Sequence, residues 1–600
     1  MKRQNHRDKL GAMAGDTTAT VLDIAAAGMP GPTANGPGDP ADWDAINWRA
    51  RENQVRRLRQ RIFKAAQAGD LRQVRNLQRL MLRSRANTLV SVRQVSQRNT
   101  GHRTPGVDRQ VALTSRARSE LAGLLHRYGG PGKALPVRRV YIPKKGGERP
   151  LGIPSIADRA QQARVRNALE PEWEARLDPR QYGFRPGRGC HDAIQAIFHA
   201  VSRKASKRVW ILDADLKAAF DRIDHNFLLE AIGTFPAREQ IREWLKAGVV
   251  DRGRYAPTEE GTPQGGVISP LLLNIAMQGM EEAAGARYDK NCHAKPGTPA
   301  VVTYADDFVA LCHSREQAET VREKLSTWLK PRGLSFNQDK TRIVHIDDGF
   351  DFLSFNIRRY YGASGTKVLT KPSKDALRKI RRRLRQELRD LRGATTEAVI
   401  RRLNPIIRGQ ASYHRTGVSS RAYAALDHHL WRHLYTWGLH RHRNKGRKWV
   451  TARYFGTFNK TRNDTWVFGD RHSGAYLHKY AWTKIVRHVV VTGRASPDDP
   501  ALARYWADRR RKQPAPQLAD SWHKALRAQA GTCPLCGNQL LDAASPPDTA
   551  SQAETWYAAL RASLIFQASP ARNDNRTTTR LVHTRCDRRH PDDGPAGTDS

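Results

Sequence analysis

Asp215 closes the apolar run Trp210-Ile211-Leu212-Asp213-Ala214-Asp215, and the pair Asp306-Asp307 follows Tyr304-Ala305 between two further apolar stretches. Each station has strand character, so neighbouring strands of one sheet would carry three carboxylates to one place. That is the ligand set two Mg²⁺ ions need for in-line nucleotidyl transfer: hard oxygen donors that leave positions open for a triphosphate and an attacking hydroxyl. Aspartates flanked by apolar strands cannot be buried unpaired, so the tip of a Val301–Cys312 hairpin is expected to face a cation or solvent. The competing reading is an ordinary Asp-containing turn, and Tyr-Ala-Asp-Asp alone is too short to decide. Strand alternation puts Asp213 and Asp215 on the face opposite Trp210, Leu212 and Ala214. Phe220, just beyond, offers a ring that would exclude a 2′-hydroxyl and select deoxynucleotides, although a lone Phe is more often core.

These stations need a scaffold, and residues 124–358 alternate strand-like and helical runs as an α/β domain does. Val137–Ile142 reads as a strand that ends in the basic turn Lys144-Lys145-Gly146-Gly147. Arg159–Arg176, Phe227–Ala247 (mostly) and Glu316–Leu329 read as helices, and Val209–Asp215 as a strand. Ahead of this unit, residues 41–123 form a basic helical extension. There Val55, Leu58, Ile62 and Ala66 recur at helical steps, and Asn99-Thr100-Gly101 and Thr104-Pro105-Gly106 end the helix. Residues 1–40, rich in Gly, Ala, Pro and Thr, are expected to be disordered. Residues 359–470 read as basic helices, with Arg381-Arg382-Arg383 and Arg385 on Lys374–Leu391 and aromatics at Tyr413, Trp431, Tyr435, Trp437 and Trp449. A charge run is usually a solvated face; charge of one sign interleaved with aromatics favours nucleic acid. Residues 471–525, with Arg509-Arg510-Arg511-Lys512 and Pro514-Ala515-Pro516, read as a DNA-binding linker region, and 526–600 as a last small domain.

The bulk numbers agree with a polyanionic partner. The 600 residues carry 103 Lys and Arg against 58 Asp and Glu, a formal charge of +45, and RNA or DNA is the usual counterpart of so much positive charge. Mean hydropathy is −0.68 and no long apolar run appears, which argues against a membrane. No apolar segment follows Met1-Lys2-Arg3, so a cytoplasmic, nucleic-acid-associated location is expected. Six cysteines do not make a disulfide framework in a chain this long. Cys190, Cys292 and Cys312 are scattered, and only the C-terminal group suggests a metal.

Ordered blocks then carry a resemblance. Ile142-Pro143-Lys144-Lys145-Gly146-Gly147-Glu148-Arg149-Pro150-Leu151-Gly152-Ile153-Pro154, Gln181-Tyr182-Gly183-Phe184-Arg185-Pro186-Gly187-Arg188, Asp215 through His225, Gly261-Thr262-Pro263-Gln264-Gly265-Gly266, Tyr304-Ala305-Asp306-Asp307, Leu334 through Thr341 and Phe350 through Phe355 appear in one order. Together they resemble a group II intron-encoded reverse transcriptase/maturase, from about Trp43 to the C-terminus. The resemblance implies right-hand polymerase fingers and an α/β palm, then an α-helical thumb or maturase domain (domain X), then a small zinc-binding HNH-like domain. It implies that Asp215, Asp306 and Asp307 are catalytic and hold two Mg²⁺ ions, that Lys144 and Arg149 meet the dNTP triphosphate, and that Gln264 lines the incoming nucleotide. Lys340 would protonate the leaving pyrophosphate, with an exposed structural Lys as the equal alternative. Leu403 through Gly409, Tyr413-His414-Arg415 and Trp431 through Val450 resemble the maturase region that grips intron RNA and assists splicing. Partners implied are group II intron RNA, dNTPs, primer/template nucleic acid and target DNA; a homodimer is compatible with it.

At the C-terminus, Cys533-Pro534-Leu535-Cys536-Gly537 has chelating spacing, and His583-Thr584-Arg585-Cys586 repeats the gap, which makes a structural Zn²⁺ site. Two unrelated thiol clusters are the alternative. The layout resembles the family's HNH endonuclease but departs from it. No histidine lies between Gly537 and Leu581, and Asp587 stands where the family has His. Asn573, Asn575 and His590 remain as remnants of its metal site. Without an imidazole base, hydrolysis lacks a proton acceptor, so a zinc-stabilised, nuclease-inactive module is expected. Two other functions compete: a splicing factor with a vestigial polymerase, which the complete triad opposes, and a retron or defence-type reverse transcriptase, which the domain X pattern opposes.

Overall fold

The structure, a computed structural model, describes residues 42–128, 133–144, 147–202, 207–289, 292–363, 365–459, 461–512, 520–537, 540–541, 550–571 and 574–589. The tail expected over 1–40, the turn residues Lys145 and Gly146, the Pro514-Ala515-Pro516 segment, Asn573 and His590 lie outside the described residues, as do the side chains of Lys144 and Asn575.

The N-terminal helices are α1 (Trp48–Gln67), α2 (Leu71–Arg83), α3 (Arg85–Arg93) and α4 (Ser115–Tyr128). The helical pattern expected to run from Trp43 to Arg85 is broken at Gly69, whose φ of +73° ends α1. Asp70 then caps α2 by accepting from the Gln73 N–H. A glycine in the left-handed region followed by an N-capping carboxylate stops one helix and starts the next. Val55, Ile62, Val74, Leu77 and Met81 face inward and share one core with the palm strands. The extension is therefore welded to the domain it precedes.

Strands β1 (Val137–Lys144) and β2 (Gly147–Ile153) form an antiparallel hairpin in register from Arg138↔Ile153 to Lys144↔Gly147. Helices α5 (Ile156–Arg176) and α6 (Cys190–Ser202), strand β3 (Trp210–Asp215), the turn α7 (Ala219–Arg222), helices α8 (His225–Ile232) and α9 (Arg238–Lys246), and the short strands β4 (Val249–Asp251) and β5 (Arg254–Ala256) follow. The expected 227–247 helix is two, because Gly233 takes φ +60° between them. The first sheet has the order β2-β1-β4-β5.

After α10 (Ser269–Ala276) and α11 (Met280–Ala283) come β6 (Ala300–Tyr304), β7 (Asp307–Cys312), α12 (Arg315–Leu329) and β8 (Arg342–His345). The palm sheet has the order β6-β7-β3-β8, antiparallel throughout. Its strands are apolar on both faces. Leu212, Phe308 and Ala310 join the core that holds Ala318, Val321 and Leu325 of α12. Ile211, Val309 and Leu311 alternate with them and join Ala193, Ile194 and Ile197 of α6. Period-two alternation across a sheet covered on both sides gives two apolar layers, so the sheet is rigid up to its open end, where the aspartates sit.

A three-stranded sheet, β9 (Phe350–Phe352), β10 (Phe355–Gly362) and β11 (Gly365–Pro372), leads to α13 (Lys374–Asp390), α14 (Thr396–His414), α15 (Ser420–Arg441), α16 (Arg447–Tyr454) and the pair β12 (Phe455–Gly456) and β13 (Val467–Phe468). On α13, Ile380, Leu384 and Leu388 repeat every four residues and pack into a separate helical core. Trp437 and Tyr413, counted among the RNA-facing aromatics, are instead buried at 4% and 7% exposure. The Trp437 indole N–H bonds to the Leu391 carbonyl, and the Tyr413 hydroxyl bonds to that of Leu353. Aromatic residues on amphipathic helices are ambiguous until the apolar face is known.

Residues 486–506 run back over the palm as a strap. Arg188 donates to the carbonyls of Gly493 and Ala495, and Asp192 accepts from His488, Val491 and Arg509. Asp498 joins Arg59 of α1 at 2.6 Å, which also meets Glu170 of α5 at 2.8 Å. Last come α17 (Ala503–Lys512), α18 (Asp520–Ala528), α19 (Ala550–Ser563), the hairpin β14 (Leu564–Ala571) and β15 (Asp574–His583), and α20 (Thr584–Arg589). Glu554 of α19 is paired with Arg383 of α13 at 2.6 Å and accepts from Gln410 of α14 at 3.0 Å.

Candidate active site and metal centres

Two strands and a tight turn build the carboxylate cluster. Asp215, the last residue of β3, lies directly opposite Asp307, the first residue of β7. Tyr304 pairs with Asp307 across the hairpin, so Ala305 and Asp306 alone make the turn. Ala305 has φ +56°, a conformation that costs an L-residue about 1–2 kcal/mol. Gly183 abuts this turn: a Cβ at position 183 would come within 2.2 Å of the Ala305 nitrogen. The Tyr-Gly-Phe block thus packs its backbone against the catalytic hairpin, and only glycine permits the approach.

The electrostatics favour a cation. Asp307 is pushed up to about 8, first by burial and then by the charges of Asp306 and Asp215. Asp306 is also raised, chiefly by burial. Three hard oxygen donors crowded closely enough for Asp307 to keep its proton at neutral pH fit divalent metal and have no apolar use. Lys340 reaches Asp215 at 2.5 Å, and the Asn337 side-chain amide reaches it at 3.4 Å. Asp213, on the same strand face, is engaged by Arg342 at 3.0 Å and stands one step away from the cluster.

The nucleotide-side residues converge through loops. The Gln264 side-chain amide donates to Asp221 at 3.2 Å, and the Gln264 backbone carbonyl accepts from Gly152 N–H of β2 at 2.7 Å. Gly261 (φ +83°) lies so close to Asp221 that a Cβ would fall 2.5 Å from its carbonyl carbon. Thus the Gly-Thr-Pro-Gln-Gly-Gly loop is clamped between the first catalytic segment and the β1–β2 hairpin. Arg149 is exposed on β2, and its charge is felt by Asp306 and Asp221. Lys144 has its backbone at the far end of that hairpin. Phe220 is half-buried and meets the exposed ring of Phe184 edge-on at 6.2 Å. Sequence reasoning missed Arg139 and Asp221 as members of this surface. Arg139 on β1 is the strongest charge acting on Asp221, and only its place in the basic strand Val137–Ile142 hinted at it.

At the C-terminus, ligand atoms of Cys533, Cys536, His583 and Cys586 all lie within 4.8 Å of one another. The halves are brought together by β15, which ends at His583, and by the turn after α18. Three thiols and an imidazole at that spacing are a donor set suited to tetrahedral Zn²⁺.

Comparison with known proteins places the chain. Residues 43–125 match the N-terminal domain of reverse transcriptase, residues 142–357 match Reverse transcriptase (RNA-dependent DNA polymerase), and residues 377–455 match the group II intron maturase-specific domain. Protein YkfC of Escherichia coli is 35% identical over 319 residues, 47% of this chain and 84% of that one. Group II intron-encoded protein LtrA of Lactococcus lactis is 30% identical over 284 residues, 37% of this chain and 47% of that one. The chain belongs to the group II intron reverse transcriptase/maturase family. Maturase-like protein 1 of Euglena gracilis is 24% identical over 318 residues, 52% of this chain and 64% of that one. Residues 142–357 are accordingly an RNA-directed DNA polymerase domain that works with divalent metal, and 377–455 a domain that serves intron splicing. The chain spans about half the length of LtrA, and among the described residues no helix is long and apolar enough to cross a membrane.

Proposed function

We propose that the chain copies intron RNA into cDNA, with Asp215, Asp306 and Asp307 holding two Mg²⁺ ions, and that it stabilises the folded intron for splicing. The carrying observation is the Asp215↔Asp307 pairing at the open end of a sheet buried on both faces. When bound, the metal pair would activate the primer 3′-hydroxyl and neutralise the triphosphate and departing pyrophosphate. The chain's own groups orient the reactants. Gln264, fixed from both sides, lines the incoming nucleotide, and Arg149, together with Lys144 and Arg139, offers charge to the phosphates. The Phe220 ring would meet the sugar and exclude a 2′-hydroxyl; its half-buried place beside Phe184, next to the first catalytic segment, supports this role. Lys340 pairs with Asp215 and would hand a proton to the leaving group.

The proposed division is an extension to residue 123, fingers and palm over 124–358, a thumb/maturase unit over 359–470, a connecting region over 471–525 with DNA contacts, and a zinc module over 526–600. In the zinc module, Cys533, Cys536, His583 and Cys586 hold a structural Zn²⁺, and the missing imidazole base leaves no nuclease. Arg378, Arg381, Arg382, Arg385 and Arg432 line one cavity between α13 and α15. Such a ring of guanidinium groups suits RNA phosphates, whose binding weakens steeply with salt. The protein acts in the cytoplasm.

Primer extension decides. The double variant Asp306→Ala, Asp307→Ala is expected to incorporate no dNTP while binding intron RNA as the parent does. Unchanged incorporation would remove the polymerase reading, and a flat salt dependence of RNA affinity would remove the maturase reading.

A further inference from the structure

At the C-terminal end of the matched maturase segment, a second cavity of about 480 Å³ opens at the start of α16, lined among others by Arg447, Lys448, Thr451 and Phe455 and, from just past that segment, by Thr465 and Trp466. No carboxylate lines it. Trp466 is 51% exposed, an unusual position for the largest apolar side chain. Its ring is nevertheless fixed. Trp431 meets it at 6.2 Å and 82°, and Phe455 at 6.2 Å and 52°.

The loop that presents Trp466 is built around one carboxylate. Asp464 accepts from the Trp466 N–H at 3.1 Å, from the Trp482 indole at 3.3 Å, and from Lys479 at 2.8 and 2.9 Å. α16 turns Val450 and Tyr454 into the core, which leaves Arg447, Lys448 and Thr451 on the cavity side. An aromatic plate held in place, two cations beside it and room for one nucleotide are the components with which proteins capture an unstacked base and its phosphate.

We propose that this cavity binds a single unpaired nucleotide of RNA, with the base stacked on Trp466 and the phosphate on Arg447 and Lys448. The inference rests on the maturase reading and adds to it a site that recognises a bulge or loop. Paired RNA, whose bases are stacked already, cannot enter.

The test is a fluorescence titration of the full chain with two RNA hairpins, one carrying 2-aminopurine as a bulged nucleotide and one carrying it within a pair. The parent is expected to quench the bulged probe and to bind that RNA more tightly. Trp466→Ala should lose the quench and weaken the bulged complex about 10-fold, while affinity for the paired hairpin stays the same. Trp466→Phe should keep most of both effects, which separates stacking from misfolding. Retention of the quench and of the preference by Trp466→Ala overturns the site. Equal, salt-dependent binding of both hairpins by the parent overturns the site alone. Binding of neither overturns the maturase reading with it.

Discussion

The palm and the C-terminal module both gather metal-ligating side chains, and they do it under opposite constraints. In the palm, Asp215, Asp306 and Asp307 are acidic oxygen donors held by β3, β7 and a strained turn, with burial and mutual repulsion lifting Asp307 to about 8. In the module, Cys533, Cys536, His583 and Cys586 complete a four-ligand set between a turn and the end of β15. On the proposed roles, one site keeps its charge unresolved so that substrate can complete it, and the other is closed and serves the fold. A rigid sheet can carry electrostatic frustration because its two apolar layers resist collapse. A module with a small core of its own (Leu526, Leu560, Leu564, Leu581 and Val582) would, on the proposed zinc reading, depend on its metal.

Substitutions at the two sites should therefore fail differently. Asp215→Asn is expected to lower dNTP incorporation at least 1,000-fold (~4 kcal/mol in the barrier) with little change in thermal stability, as read by primer extension and calorimetry. Cys533→Ser should do the reverse: zinc content falls, the module becomes protease-sensitive, and extension of a short generic primer stays within about twofold. A module that stays protected without metal would erase the contrast.

Proton linkage sharpens it. The folded value for Asp307 lies above its ordinary 3.8, so the folded, metal-free protein keeps a proton that the unfolded chain has released. Its stability must fall as pH rises from about 4 to about 8. Divalent metal has to displace that proton. Apparent Mg²⁺ affinity should rise by up to about tenfold per pH unit below pH 8 and level off above it, measured as the Mg²⁺ midpoint of incorporation. For the same reason Asp307→Asn should abolish activity yet raise the melting temperature of the metal-free protein at pH 8 by ~2 °C. The smallest effect belongs to the joint between the two regions. Glu554→Gln, which weakens the contact with Arg383, should cost about 1 kcal/mol, visible as faster proteolysis around α19.

Much of the palm was legible because its signals are local. Period-two apolar runs, acidic residues at their ends and blocks in fixed order led to Asp215, Asp306 and Asp307 and to the strands that carry them. What escaped was set by distant contacts. Gly152 and Asp221 orient Gln264 across the fingers and palm, and the charge of Arg139 reaches Asp221 from another element. Tyr413 and Trp437 looked like RNA contacts because composition does not reveal which side of a helix is covered. Gly69 and Gly233 ended helices that apolar spacing alone would have continued. The cysteine pairing was visible from spacing, whereas the docking of α19 through Glu554 was not, since a single Glu carries no sequence signal.

The return of residues 486–506 across the palm bears on how the chain can be shortened. Arg59 spans Asp498 and Glu170, and Trp506 packs against Gly187. A deletion meant only to excise the cysteine module must therefore begin after this stretch. Cutting upstream of Asp498 would leave Arg59 without one of its two carboxylates and strip the cover from the Gly187 turn. A truncated enzyme made that way would fail through its first helix, although the cut lies far from it in sequence.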